Sequence, residues 1–217
     1  MIGIGITTYL RPKQLEFVLQ QIDKFKGEHE IAVYVWDDSE TKRGVAYGKN
    51  MCLSNLRNCD HIFLLDDDIF PITEGWIDYF INSGYNHACY MNDKYQVVYR
   101  GEKHTSYNMS SGVLMYLTKK CFETVGYLHP KYGRYGYEHA GYSHRIFEAG
   151  LTPSRFLCLN DTKKYFHALD LDGIEGYEFL EHKRMITEEE RAESLKGNNI
   201  IYHQETTSHQ IKYNFEE

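Results

Sequence analysis

The chain has 217 residues, 42% of them hydrophobic and 25% charged, enough for one α/β domain with a sizeable core, or a domain plus an appendage. Its formal charge of −7 argues against a nucleic-acid binder that works by broad electrostatics, and leaves room for a metal-bound anionic ligand. Five scattered cysteines without CxxC spacing argue against structural zinc and a disulfide framework, so reduced core thiols are expected.

The N-terminal "MIGIGITTYLRP" has no basic leader and is too short and punctuated to span a membrane, so a cytosolic protein is expected. Its "IGIGITTY" segment is predicted as a strand with Thr7 and Thr8 at the carboxyl end. Arg11-Pro12 then opens a helix, with Leu15, Val18, Leu19, Ile22 and Phe25 on one face and Gly27 at its end. "IAVYVWDDSE" reads as a second buried strand ending in Asp37 and Asp38. A helix is predicted over about 45–58. It leads to "HIFLLDDDIFP", in which Ile62 to Leu65 form a buried strand, Asp66, Asp67 and Asp68 mark its exit, and Pro71 stops it. "EGWIDYFINSG" is a short helix. This β-α-β-α-β-α order implies a mostly parallel sheet with right-handed crossovers. Ligands then gather beyond the carboxyl ends of the strands, so Thr7/Thr8, Asp37/Asp38 and Asp66 to Asp68 are expected to line one crevice.

Further along, "HACYMN", "YQVVYR" and "SSGVLMYLT" read as strands and "KKCFETVG" as a helix. A loop, "HPKYGRYGY", carries Tyr132, Tyr135 and Tyr137 into a helix predicted over about 138–149. "RFLCLN" is the last expected core strand. Beyond Gly173 the pattern weakens, apart from a helix at "TEEERAESL", where Thr187 and Glu190 form a capping box. The organisation expected is one domain over 1–172, with a nucleotide-binding half (1–100) and an acceptor-side half (101–172), and 173–217 as its extension.

Three carboxylates at the exit of a buried strand repel one another, which a cation relieves. Oxygen ligands at that spacing suit Mg²⁺ or Mn²⁺, which clamps a nucleotide diphosphate and stabilises charge on a leaving group. Acid triplets at strand ends also occur as solvated turns.

Four ordered segments carry a resemblance. "IGITTYLRP", "VYVWDDSE", "RGVAYGKNMCLSNLRNCDHIFLLDDDIFP" and "SSGVLMYLTKKCFETVGYLHPKYGRYGYEHAGYSHRIFEAGL" together resemble the GT-A nucleotide-sugar glycosyltransferases, in their β-galactosyltransferase-like and family-two branches. The likeness covers roughly residues 2–170. It implies a Rossmann-like GT-A fold with a mostly parallel central sheet flanked by helices. It also implies a divalent-metal-dependent transfer of a sugar from a nucleoside diphosphate, with UDP the expected nucleotide, to a hydroxyl acceptor. By that resemblance Asp68 is the metal aspartate, Asp66 contacts ribose or sugar and is a second candidate ligand, Asp67 is the variable middle position, and His167, with His203 and His209 as alternatives, completes the Mn²⁺ or Mg²⁺ site. Thr7, Tyr9, Arg11 and Asp38 (Asp37 second) would contact the nucleoside, and Gly112 would lie beside the donor sugar. From the residues themselves, the loop with Tyr132, Tyr135 and Tyr137 could close over the donor, or simply reflect a tyrosine-rich composition. Lys42, Arg43 and Lys49 could touch phosphate, although basic residues at helix starts and loops are usually solvated.

Glu138 matches the glutamate of a Glu-Asp pair whose aspartate is commonly the general base in inverting relatives. His139 occupies the aspartate position, so Glu138 and His139 are the catalytic candidates. An acid at a helix start is equally favoured by the helix dipole, and Glu138 is spaced to pair with Arg145. The acceptor stays open: glycan, protein, lipid or modified nucleic-acid base. A compact chain of this kind suits a bacterial or virus-infected host cytosol. Two rival readings are a nucleotidyltransferase of similar fold, for which "TTYLRP" lacks a glycine-rich basic loop, and an inactivated module that still holds nucleotide or sugar. A dehalogenase-like phosphatase would want a threonine or valine two residues after its aspartate pair, and "DDDIF" lacks the threonine.

Overall fold

The computed structural model describes residues 1–180 and 185–216. The chain opens with β1 (Ile2–Thr8), α1 (Pro12–Phe25), β2 (Ile31–Asp37), α2 (Val45–Leu56), β3 (His61–Asp66), β4 (Ile69–Pro71) and α3 (Trp76–Ile81). It continues through β5 (His87–Tyr90), β6 (Val97–Arg100), β7 (His104–Tyr107), β8 (Ser111–Thr118), α4 (Lys119–Val125) and α5 (Glu138–Glu148). Last come β9 (Leu157–Leu159), α6 (Thr162–Tyr165), β10 (Phe166–Ala168), α7 (Leu169–Asp172) and α8 (Glu188–Thr207).

The main sheet has the order β2-β1-β3-β8-β5-β9-β7-β6. Strands β2, β1 and β3 are mutually parallel, β8 runs against β3, β5 runs against β8, and β9 is parallel to β5. β7 then opposes β9 and β6 opposes β7, so only β8 and β7 point against the common direction. Along β3 the side chains alternate, with Phe63 and Leu65 packing under α1 and α3 and Ile62 and Leu64 packing under α2 and α4. A strand covered on both faces reads as a continuous apolar run for this reason. Gly5 lets α2 lie close to the sheet, because a Cβ there would sit 2.5 Å from the Cβ of Cys52.

Three expectations change. β2 is an edge strand rather than a buried one: its residues are half-buried or exposed, and Val33 is 42% exposed. Among the described residues no strand pairs with its outer side. Pro71 does not stop the acidic strand. The chain turns at Asp67-Asp68, and Pro71 belongs to β4, which pairs antiparallel with β10; proline is tolerated on such a two-stranded edge. β7 has no counterpart in the sequence reading, because "HTSY" is short and without apolar alternation.

The capping box is present, with Thr187 accepting from the Glu190 amide and Glu190 accepting from the Thr187 amide, and α8 runs to Thr207. This helix packs on α5 through a buried ion pair, Arg145 Nε to Glu205 Oε1 at 2.6 Å. Arg145 also donates to the carbonyls of Val125, Tyr127 and Ile211. Its partner is therefore Glu205, not Glu138 as the helical spacing suggested. Among the described residues no helix is long and apolar enough to cross a membrane.

Candidate active site

Parallel pairing places Thr7 beside Trp36 on one side and Asp66 on the other, with Thr8 opposite Asp37. The carboxyl ends of β1, β2 and β3 thus open on one crevice of about 180 Å³. Thr7, Tyr9, Arg11, Asp38, Asp66, Asp67 and Asp68 line it, as expected from the sequence. Asp37, Lys49, Gly112, Tyr137, Glu138, His139 and His167 do not.

The acids have different environments. Asp67 is buried and fully engaged: Thr8 Oγ1 donates to Oδ2 at 2.7 Å and Arg11 Nη1 to Oδ1 at 3.0 Å. Burial still pushes its pKa up, against the pull of Arg11 and Thr8. Asp66 Oδ1 accepts from Thr7 Oγ1 at 3.1 Å and pairs with Lys49 Nζ at 3.1 Å. Asp68 is the exception. It is buried, Arg11 approaches its Oδ2 only to 3.5 Å, and its Oδ1 has no hydrogen-bond partner. Burial, followed by the negative fields of Asp67, Asp66 and Asp170, raises its pKa well above the ordinary carboxylate value. A buried carboxylate oxygen with no partner and acidic neighbours suits a cation.

Asp170, at the first turn of α7, lines the same crevice. Sequence reasoning passed over it although it lies three residues beyond His167, in the segment that returns after the last core strand. His167 faces elsewhere. Its Nε2–H donates to the Gly173 carbonyl at 2.8 Å, and its ring packs on Phe70 and Tyr177. Among the described residues no three His, Cys, Asp or Glu side chains are placed to hold a metal by themselves.

Asp38 is buried and shapes the wall. Its Oδ1 accepts from Thr41 Oγ1 (2.7 Å) and the Arg43 amide (2.8 Å), and its Oδ2 from the Gly44 amide (2.8 Å). Asp37 is exposed and accepts from Ser39. Gly44 has φ of 95°, and a Cβ there would lie 2.6 Å from the Arg134 Cα. Only glycine lets this loop meet the next one, where Arg134 and Tyr135 enter the crevice. Arg134 stands 5.2 Å over the Tyr9 ring and pairs with Glu190 at 3.2 Å.

Beneath the floor is a buried charge cluster. Lys49 is completely buried: Nζ donates to the Gly112 carbonyl at 2.6 Å and lies 3.1 Å from Asp66 and 4.0 Å from Glu138. Burial opposes its charge, yet Asp66 and Glu138 outweigh burial and raise its pKa. It therefore braces Asp66 from below. The His139 ring packs against Gly112, where a Cβ would lie 2.7 Å from Nδ1. Its Nε2 lies 3.0 Å from the Ser110 carbonyl and its Nδ1 3.2 Å from Glu138 Oε1. The Ser110 carbonyl accepts from Nε2, and the Glu138 carboxylate beside Nδ1 favours the charged form of the ring.

Glu138 is held to about pH 2 despite burial, first by His139 and then by Lys49. His139 is raised above 6.5, Glu138 overcoming its burial. A depressed carboxylate contributes stability above its ordinary 4.5 and loses it as pH falls toward 2. A raised histidine contributes fully below 6.5 and loses it as pH rises through the folded value. The stability difference between wild type and His139→Gln is therefore expected to peak between about pH 4.5 and 6.5. Urea unfolding from pH 3 to 9 checks this, and a difference that grows steadily toward alkaline pH would contradict the pair.

No protein-family model matches the chain, and no curated protein matches it in sequence. Solved structures do match it in shape. A crystal structure of GalNAc-T7 with UDP, GalNAc and Mn²⁺ superposes with a TM-score of 0.57 at 12% identity, over 73% of this chain and 42% of that one. The catalytic domain of Drosophila beta1,4galactosyltransferase 7 in complex with xylobiose superposes at 0.54 and 15% identity, over 88% and 79% of the two chains. This is the GT-A fold. The chain thus spans less than half of the GalNAc-T7 chain but most of the galactosyltransferase domain. The expected central sheet with flanking helices is the one observed.

Proposed function

We propose that this GT-A chain transfers a sugar from a nucleoside diphosphate, UDP in the first instance, to a hydroxyl acceptor, with a divalent cation. The observation that carries this is Asp68, a buried carboxylate whose Oδ1 has no partner, at the exit of β3 inside the crevice. The structural neighbours include GalNAc-T7 with UDP and Mn²⁺ and the galactosyltransferase mutant with manganese and UDP-Gal.

Asp68 would hold the cation, with Asp66 and Asp170 further acids of the same crevice whose charge reaches it. Such a cation, when bound, supplies Lewis-acid stabilisation of the charge on a leaving diphosphate. The protein's own part is positioning. Thr8 and Arg11 lock Asp67, which fixes the turn that presents Asp68. Lys49 and Thr7 orient Asp66. Asp38 folds the 41–44 loop into a wall, and the Tyr9 ring with Arg134 above it offers a face for a base or sugar. Met185, Ile186 and Tyr135 supply apolar cover, which keeps water from an activated sugar.

A second reading, a binding module without catalysis, draws on one observation. Glu138 and His139, the expected base candidates, lie behind Gly112 and are spent on each other, on Lys49 and on the Ser110 carbonyl. A coupled assay for released UDP over a panel of UDP-sugars with Mn²⁺ separates the two. Release that depends on the sugar and is stopped by EDTA supports transfer or hydrolysis. Tight UDP binding with no release from any donor supports the binding module.

A further inference from the structure

The loop that carries Arg134 and Tyr135 into the crevice is held from α8. Residues 133–136 enter α5 through two left-handed backbone positions, Gly136 at φ 93° and Tyr137 at φ 68°. The second is costly for a residue with a side chain and persists only when its surroundings enforce it. Asn198, on α8 and only 2% exposed, supplies that enforcement. Its Oδ1 accepts from the Gly133 amide at 2.8 Å, and its Nδ2 donates to the carbonyls of Tyr135 (2.9 Å) and Gly136 (2.8 Å). Three backbone groups of one short loop are thus satisfied by a single side chain. From the pinned loop Arg134 reaches over Tyr9, its carbonyl accepts from the Val45 amide, and Tyr135 lines the crevice.

We infer that Asn198 is a positioning residue: it holds the 133–136 loop in the shape that forms the nucleotide crevice, and so sets nucleotide affinity without touching the nucleotide. The inference rests on the proposed nucleotide site. A loop released from Asn198 occupies the binding-competent shape only part of the time, and apparent affinity falls by that fraction. Asn198→Asp is the sharper variant, because it keeps an oxygen for Gly133 and turns the amine that serves two carbonyls into a second acceptor. Leu117→Ala is the control. Leu117 is a buried residue of β8 outside the crevice lining, so its loss lowers stability without loosening this loop.

The test reads two quantities on the full chain, UDP affinity with Mn²⁺ by calorimetry and the rate of tryptic cleavage after Arg134. Asn198→Asp and Asn198→Ala are expected to bind UDP about tenfold or more weakly and to be cut faster at Arg134, with UDP restoring protection. Leu117→Ala should keep wild-type affinity and cleavage at temperatures where it is folded. Wild type binding UDP with both Asn198 variants within twofold of it, or cut no faster than Leu117→Ala, overturns the inference and leaves the nucleotide site standing. Wild type failing to bind UDP overturns the nucleotide reading, and this inference with it.

Discussion

Asp68→Asn is expected to lower metal-dependent turnover of a nucleotide sugar by roughly 10³-fold, the kinetic equivalent of the several kcal/mol that a cation contributes at a leaving group. The fold should survive. Without metal the wild-type carboxylate is disfavoured by burial and by Asp67, Asp66 and Asp170, so an amide of the same shape removes an unfavourable charge. The variant should then melt at or above the wild-type temperature in EDTA. Adding Mn²⁺ with UDP should raise the wild-type melting temperature and leave that of the variant unmoved. Asp67→Asn should reduce turnover less, because Asp67 spends both oxygens on Thr8 and Arg11. A larger loss at Asp67 than at Asp68 would mean that the acidic turn presents the other carboxylate to substrate.

Lys49→Met carries the largest expected stability effect, about 3–5 kcal/mol, the range seen when one member of a buried ion pair is removed. The ammonium is completely buried and serves Asp66, Glu138 and the Gly112 carbonyl together. Methionine fills the space but leaves buried Glu138 with His139 as its remaining counter-charge and removes the hydrogen bond to the Gly112 carbonyl. Replacing both partners should recover part of the loss, so Lys49→Met with Glu138→Gln is expected to be less destabilised than the sum of the single changes. Equilibrium urea unfolding of the four proteins measures this. A Lys49→Met cost under about 1 kcal/mol, the level of a surface pair, would show that the cluster is solvated and that Asp66 is not braced from below.

Much of the first hundred residues was readable because its physics is local. The run Ile62 to Leu65 is apolar because β3 is covered on both faces, and the acids follow it because the chain leaves the core there. β2 misled for the opposite reason. Val33, Val35 and Trp36 suit a strand, yet nothing in their pattern says that the outer edge is unpaired. The roles of Lys49 and Asn198 come from tertiary placement. Each looks like an ordinary polar residue of a helix, and each is buried because partners 63 and 65 residues away meet it there. His167 and Asp170 share one returning segment, and which of them faces the crevice depends on the β4–β10 pairing, which no local pattern encodes.

The most direct test of the central claim is a calorimetric titration of the 217-residue wild-type chain with UDP, in Mn²⁺ and again in excess EDTA. Asp68 with its partnerless oxygen predicts a single site whose affinity falls at least about tenfold when the metal is removed, a difference of about 1.4 kcal/mol in binding free energy. Equal affinity with and without metal would contradict it, since the acids of the β3 exit would then have no part in holding the diphosphate.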